Sequence, residues 1–473
     1  MGRVSVFMPM TIAGRPVRSP DRLPVEDPAT ATVFAEAPQC TAAQLDDAVL
    51  GAVAALDGWA RAGEDRRRAA LLACGSVLAQ AAEEVAELLT AEQGKPLRQA
   101  RAEVALAADW FGHTAELSLP QQRLVTEEAT EVTLGRTPVG PVAAIAPSNY
   151  PIILAVTKIA PALLAGNTVV LKPSPVTPLA SLRMGQLLAG VLPPGVLNTV
   201  SGDGDLGPAL VAHPAVRMVS FTGSTRSGRA IARRAADSFK RVVLELGGND
   251  PCVLLPGTDV GQVAGEVFRR ATVNSGQFCA AIKRVYAPEG QVAELTEALR
   301  AAAEAAVVGD GRDERTDLGP LVSQAQLEHV RRLVDEAAAA GGRVVTGGAP
   351  LPRPGHFYPP TVVTDLPPGT ALEQDEQFGP VIPVIGYGDL DEAVARANGT
   401  RFALGGSVWG EPVAARAVAA RLECGTAWIN THGDLRHDVP FGGLRESGSG
   451  VEYGHWGLLE YTHIKITHAA RLP

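Results

Sequence analysis

Apolar positions recur at helical spacing through most of the first 120 residues, then change to short unbroken runs. The segments TAAQLDDAVLGAVAALDGWA, with Thr41 placed as a cap, and EDRRRAALLACGSVLAQAAEEVAELLTAE predict amphipathic helices whose apolar stripes need another layer to cover them. TEEATEVTLGRTPVG, residues 126–140, alternates β-branched with polar residues like an exposed strand pair, suited to a surface hairpin or to joining another subunit. From Val139 onward PVAAIAPSN, NTVVLKPS, VRMVSFTG, KRVVLELGG and DPCVLLP are apolar on both faces, the pattern of strands in a parallel sheet. A second stretch of this kind follows residue 250 with RVVTGG, YPPTVVTDL, PVIPVIGY and GTAWINT, and the chain ends on a segment that reads as an edge strand and tail. The fold class expected is therefore α/β, with two or three closely packed domains.

Composition narrows the function. Of 473 residues, 46% are hydrophobic, enough for a large core, yet no run of about 18 apolar residues occurs, so no membrane span is expected. The N-terminus lacks an apolar leader, which points to the cytoplasm. Cysteines at 40, 74, 252, 279 and 424 form no C-x-x-C pair and no zinc-spaced set with histidine, so free thiols and no metal site are expected. The net charge of −9 argues against a nucleic-acid partner.

Two glycine loops compete for a nucleotide. Gly202, Gly204 and Gly207 fit G-x-G-x-x-G, but the helix behind them is only one or two turns long and no acidic residue follows at ribose distance. FTGSTRSGRAIARRAADSF is the better candidate: a strand runs into Ser224 or Thr225 as cap of a full helix, whose free N–H groups favour a phosphate. Chemistry is signalled nearby. Glu245, in VLELGGNDP, ends an apolar strand as either an exposed carboxylate or a general base, since ligands of open α/β sheets collect beyond the strand carboxyl ends. Asn149, in IAPSNYPI, either caps a turn or donates to a developing oxyanion. Cys279, in NSGQFCAA, is either a small core residue or a nucleophile.

These stretches resemble the NAD(P)-dependent aldehyde dehydrogenase superfamily along nearly the whole chain. The resemblance rests on PSNYP at 147–151, KIAPALLAGNTVVLKPS at 158–174, FTGST at 221–225, LELGGNDP at 244–251, NSGQFC at 274–279, DLGPLVS at 317–323, EQFGPV at 376–381 and PFGGLRESGSG at 440–450, all in the family's order. It implies a Rossmann-like cofactor domain (1–120 and 139–246), an α/β catalytic domain (247–447) and a small β oligomerisation element (121–138 and 458–473) that assembles a homodimer or homotetramer.

The resemblance also implies roles. Cys279 would attack the aldehyde, Asn149 and the Cys279 N–H would hold the oxyanion, hydride would pass to NAD or NADP, and Glu245 would activate the water that hydrolyses the thioester. Lys172 would meet the adenosine ribose, Gly223 and Ser224 the pyrophosphate, and Glu376 the nicotinamide ribose with Phe378 beside it, while Pro147 and Ser148 would wall the cofactor side. Ser148 stands where the family often has Trp, and Pro175 where NAD-preferring members often carry Glu, so nothing there repels a 2′-phosphate. Tyr150, Ile153, Leu154, Thr157, Phe278 and Phe441 would line an apolar tunnel for an aliphatic or aromatic aldehyde. Asp434 or Arg436 at its mouth would select a polar tail, unless these are plain loop charges. A CoA-acylating enzyme and a silent scaffold of the same fold are the rival expectations, the first opposed by Glu245 and the second by the intact trio of Cys279, Glu245 and Asn149.

Overall fold

The computed structural model describes residues 6–127 and 130–470. Residues 1–5 of the expected cofactor domain, and 128, 129 and 471–473 of the expected oligomerisation element, lie outside the described residues.

The apolar runs after Val139 form the parallel strands Val142–Ile145, Val169–Lys172, Leu197–Thr199, Met218–Thr222 and Arg241–Glu245. They make the centre of an eight-stranded sheet in which Val142–Ile145 lies between Val169–Lys172 and Met218–Thr222. The chain first builds outward on one side of Val142–Ile145, then crosses to the other. That reversal leaves a crevice between the carboxyl ends of Val142–Ile145 and Met218–Thr222, the switch point at which such sheets bind ligands. Helices cover both faces over two apolar cores, which is why Val142–Ile145 and Val169–Lys172 are buried throughout. The strands Met10–Ile12 and Arg15–Val17 extend this sheet antiparallel, an addition that the helix-dominated N-terminal pattern did not announce.

Beyond Gly247 and Gly248 the chain enters a second, seven-stranded sheet. Its parallel strands run Thr361–Thr364, Val381–Tyr387, Ile282–Pro288, Asp250–Leu254, Gly405–Trp409 and Thr426–Ile429 in spatial order, with Arg343–Thr346 antiparallel at one edge. The hairpin Gln122–Thr126 and Thr130–Pro138 pairs with Thr462–Ala470 in a third, antiparallel sheet. The hairpin begins at Gln122 rather than at residue 126, and every residue of Thr462–Ala470 after Thr462 is exposed. Among the described residues no single helix is long and apolar enough to cross a membrane.

Candidate active site

Cys279 stands just before the strand Ile282–Pro288 of the second sheet, and Glu245 closes the strand Arg241–Glu245 of the first. The turn that delivers the cysteine is unusual: Asn274, Ser275 and Gly276 all have positive φ, at 51°, 55° and 72°. A non-glycine residue in this region costs about 1–2 kcal/mol, so neighbours must hold it there. Asn274 Nδ2 donates to the carbonyl of Asn149 at 3.0 Å, Ser275 Oγ donates to Gly319 O at 2.8 Å, and Gln277 Oε1 accepts from Val322 N at 2.9 Å. At Gly276 a Cβ would lie 2.2 Å from Gly379 O, so only glycine fits.

The thiol is buried and donates to Glu245 Oε2 at 3.8 Å. Burial pushes its pKa well above the usual value and the Glu245 charge adds to that, while Lys283 acts the other way. Glu245 is itself raised by burial and then by Glu452, against Lys158. Its Oε1 has no hydrogen-bond partner among the described residues, which leaves an acceptor beside the thiol. Behind it Lys158, fully buried, donates to Thr222 Oγ1 at 2.6 Å and pairs with Glu452.

Asn149 reaches the same place, with one engagement that the sequence did not foretell: its Nδ2 donates to Gln277 O at 3.0 Å. An amide carries two N–H bonds, so the other remains for a ligand. Its backbone is clamped by Lys95 Nζ, 2.7 Å from Asn149 O. Lys95 also pairs in the interior with Glu103, whose Oε1 accepts from Ile152 N at 2.9 Å and caps the helix Pro151–Leu164.

On one side of Cys279 opens a cavity of about 510 Å³ lined by Pro147, Ser148, Asn149, Gly223, Ser224, Glu376 and Phe378. It continues past Gly223 and Ser224 into a second of about 410 Å³ that holds Lys172 and Pro175. This cleft suits a dinucleotide. Ser224 caps the helix Thr225–Ala236 through Ser227 N at 3.3 Å, aiming its N-terminus at the cleft. At Gly223 a Cβ would stand 2.5 Å from the Phe221 ring, and at Gly247 one would stand 2.3 Å from Glu376 Oε2. Burial lowers Lys172 to about 8, with Asp203 opposing. Gly204 and Gly207 of the weaker glycine loop line the far end, Gly204 before and Gly207 inside a helix of 7 residues, Leu206–Ala212.

On the other side lies an apolar cavity of about 360 Å³, walled by Tyr150, Ile153, Leu154, Phe278 and Phe441. Thr157 lies outside it: the side chain is buried one turn further along, where Oγ1 donates to Leu154 O at 3.2 Å. Trp110 and Tyr453 complete the wall in an edge-to-face pair with centroids 4.9 Å apart. Sequence reasoning missed both, because neither sits near a motif carrying the nucleophile or its base. Asp434 does reach the mouth, where it pairs with Arg270 at 2.7 Å. Arg436 does not line the cavity, being held by Asp438 at 2.7 Å.

A model of the aldehyde dehydrogenase family matches residues 16–467. A phenylacetaldehyde dehydrogenase of Pseudomonas fluorescens is 37% identical, over 96% of this chain and 94% of the relative. Among solved structures, an NAD-dependent aldehyde dehydrogenase of Sinorhizobium meliloti superposes with a TM-score of 0.96 at 33% identity, covering 99% of this chain and 95% of that one. An NADP-dependent enzyme of Escherichia coli gives 0.95 at 32% identity, covering 98% of each. The chain belongs to the aldehyde dehydrogenase family, which oxidises aldehydes to acids with NAD(P).

Proposed function

We propose that this protein oxidises a neutral, apolar aldehyde, aromatic or aliphatic, to its carboxylic acid through a thioester on Cys279 that water hydrolyses. The observation that carries this is the position of Cys279, which lines both the dinucleotide-sized cleft and the apolar cavity and has the Glu245 carboxylate 3.8 Å away. The thiolate attacks the carbonyl carbon, and the oxyanion formed is received by the free N–H of Asn149 and the backbone N–H of Cys279. Each donor of this kind contributes roughly 3–4 kcal/mol in comparable sites. Bound NAD(P) supplies the hydride acceptor, and collapse of the oxyanion leaves a thioester. Glu245 then takes a proton from water, the water oxygen adds to the thioester, and the Cys279 thiolate departs with release of the acid.

Lys172, Gly223, Ser224, Glu376 and Phe378 hold the cofactor in this scheme, with Pro147 and Ser148 at its side. Pro175 lines the cleft near Lys172 and carries no charge against a 2′-phosphate, so NAD and NADP both fit the scheme. The aromatic wall and the phenylacetaldehyde dehydrogenase relative favour an arylalkyl aldehyde among apolar substrates. The internal neutralisation of Arg270 by Glu266 and Asp434 argues against a charged tail. In the same proposal residues 1–120 and 139–246 bind the cofactor, 247–447 carry the chemistry, and 121–138 with 458–473 join copies into a dimer or tetramer through the exposed third sheet. Free cysteines suit a cytoplasmic setting.

An aldehyde panel run with each cofactor, with and without CoA, tests this. Reduced cofactor should form with phenylacetaldehyde or hexanal without CoA; a strict need for CoA would replace hydrolysis by acyl transfer.

A further inference from the structure

Lys283 lies four residues after Cys279 in the strand Ile282–Pro288, and its side chain is about 1% exposed. A long cationic side chain is seldom buried to this degree without a partner that needs it. Nζ donates to Phe278 O at 2.6 Å and to Cys279 O at 3.2 Å, and it stands 3.6 Å from Glu376 Oε1. The same Glu376 oxygen accepts from Gly248 N at 3.2 Å. Gly248 in turn has no room for a side chain, since a Cβ there would lie 2.5 Å from Cys279 O. One buried cation thus joins the backbone of the cysteine to the carboxylate at the opposite wall of the cleft.

We propose that Lys283 is a positioning residue of the reaction, fixing the Cys279 backbone and Glu376 against each other through one buried charge, so that thiol reactivity and cofactor seating are set together. This rests on the reading of Cys279 as nucleophile and Glu376 as ribose ligand. The charged groups around the thiol are Glu245, Glu376 and Asp250, all of which oppose its ionisation, and Lys283, which promotes it; Tyr150 and Tyr453 face it as well. Removing the one cation of this set leaves three carboxylates acting on the thiol unopposed.

Alkylation of the full-length enzyme by iodoacetamide across pH reads the thiol directly. Lys283→Gln keeps donors for the two carbonyls but loses the charge, and should slow alkylation at neutral pH about tenfold, one unit of thiol pKa, while raising KM for NAD. Lys283→Arg should return the pH midpoint toward that of the wild type. Lys283→Met, which fills the same space without the charge, should shift the midpoint in the same direction as Lys283→Gln and keeps the test available if Lys283→Gln does not fold. A purely structural role would lower thermal stability without moving the midpoint. Alkylation that abolishes activity with the same midpoint in wild type and Lys283→Gln, or in wild type and Lys283→Met, overturns the role of Lys283 alone. Alkylation of Cys279 that spares activity overturns the nucleophile itself.

Discussion

Glu245 Oε2 and Cys279 Sγ meet at 3.8 Å although the two residues belong to different sheets, one ending a strand of the eight-stranded sheet and the other preceding a strand of the seven-stranded one. The contact is possible because Gly247 and Gly248 carry the chain between the sheets with no side chain in the way. Burial raises the pKa of both groups, and the Glu245 charge further opposes ionisation of the thiol. In the proposed scheme this carboxylate serves the later, hydrolytic half of the reaction.

Replacing Cys279 by Ser should abolish turnover and leave cofactor binding nearly unchanged, because a hydroxyl is a poor nucleophile without a dedicated base. Burial pushes the thiols of Cys40, Cys74, Cys252 and Cys424 up to about 12, and none of the four lines the cleft or the apolar cavity. Their single alanine variants should keep activity. Steady-state assays with calorimetric NAD titration separate the outcomes, and loss of activity in any of these four with a functional Cys279→Ser would refute the assignment.

Cofactor binding should depend on pH through Lys172. With its pKa brought down to about 8 by burial, the side chain is cationic below that pH and neutral above it. KM for the cofactor should be flat at lower pH and climb above about pH 8, more steeply for NADP with its extra phosphate; Lys172→Met should raise KM and erase the step.

Position 175 offers a separate handle. Pro175→Glu should lower kcat/KM for NADP roughly tenfold relative to NAD, since it sets a carboxylate near the 2′-phosphate. An unchanged ratio would show that residue 175 does not face the ribose.

For the aldehyde, Trp110→Ala should enlarge the apolar cavity and remove one aromatic face. The ratio of kcat/KM for phenylacetaldehyde over acetaldehyde should fall about tenfold or more, the equivalent of the roughly 1.5–3 kcal/mol that burial of a large apolar group contributes. A ratio that stays constant while thermal stability drops would make Trp110 a core residue only.

The placements legible in the sequence are those in which a few consecutive residues define where one element ends or the next begins. Glu245 before Gly247, Asn149 between prolines, and Ser224 at the start of a full helix are of this kind. What stayed hidden is joined across the chain. Lys158 and Glu452 pair over 294 residues, and Lys283 lies in a buried strand where nothing marks the two carbonyls and the carboxylate it meets. Thr157 illustrates a different limit: helical spacing puts it on one face with Tyr150, Ile153 and Leu154, but the cavity ends a turn earlier. The position of Asn149 at a strand end follows from local pattern, whereas the Gln277 carbonyl that occupies one of its N–H bonds belongs to a turn whose positive φ values no local pattern reveals.

Glu245→Gln provides the most direct test of the whole scheme, because it spares the thiol, Asn149 and the cofactor cleft while removing the base. Rapid mixing of this variant with NAD and phenylacetaldehyde should give a burst of NADH close to one per active site. A steady rate reduced by roughly two to four orders of magnitude should follow, with a thioester on Cys279 visible by mass spectrometry of the quenched protein. Full steady turnover with no accumulated thioester would contradict the account and remove Glu245 from the hydrolytic step.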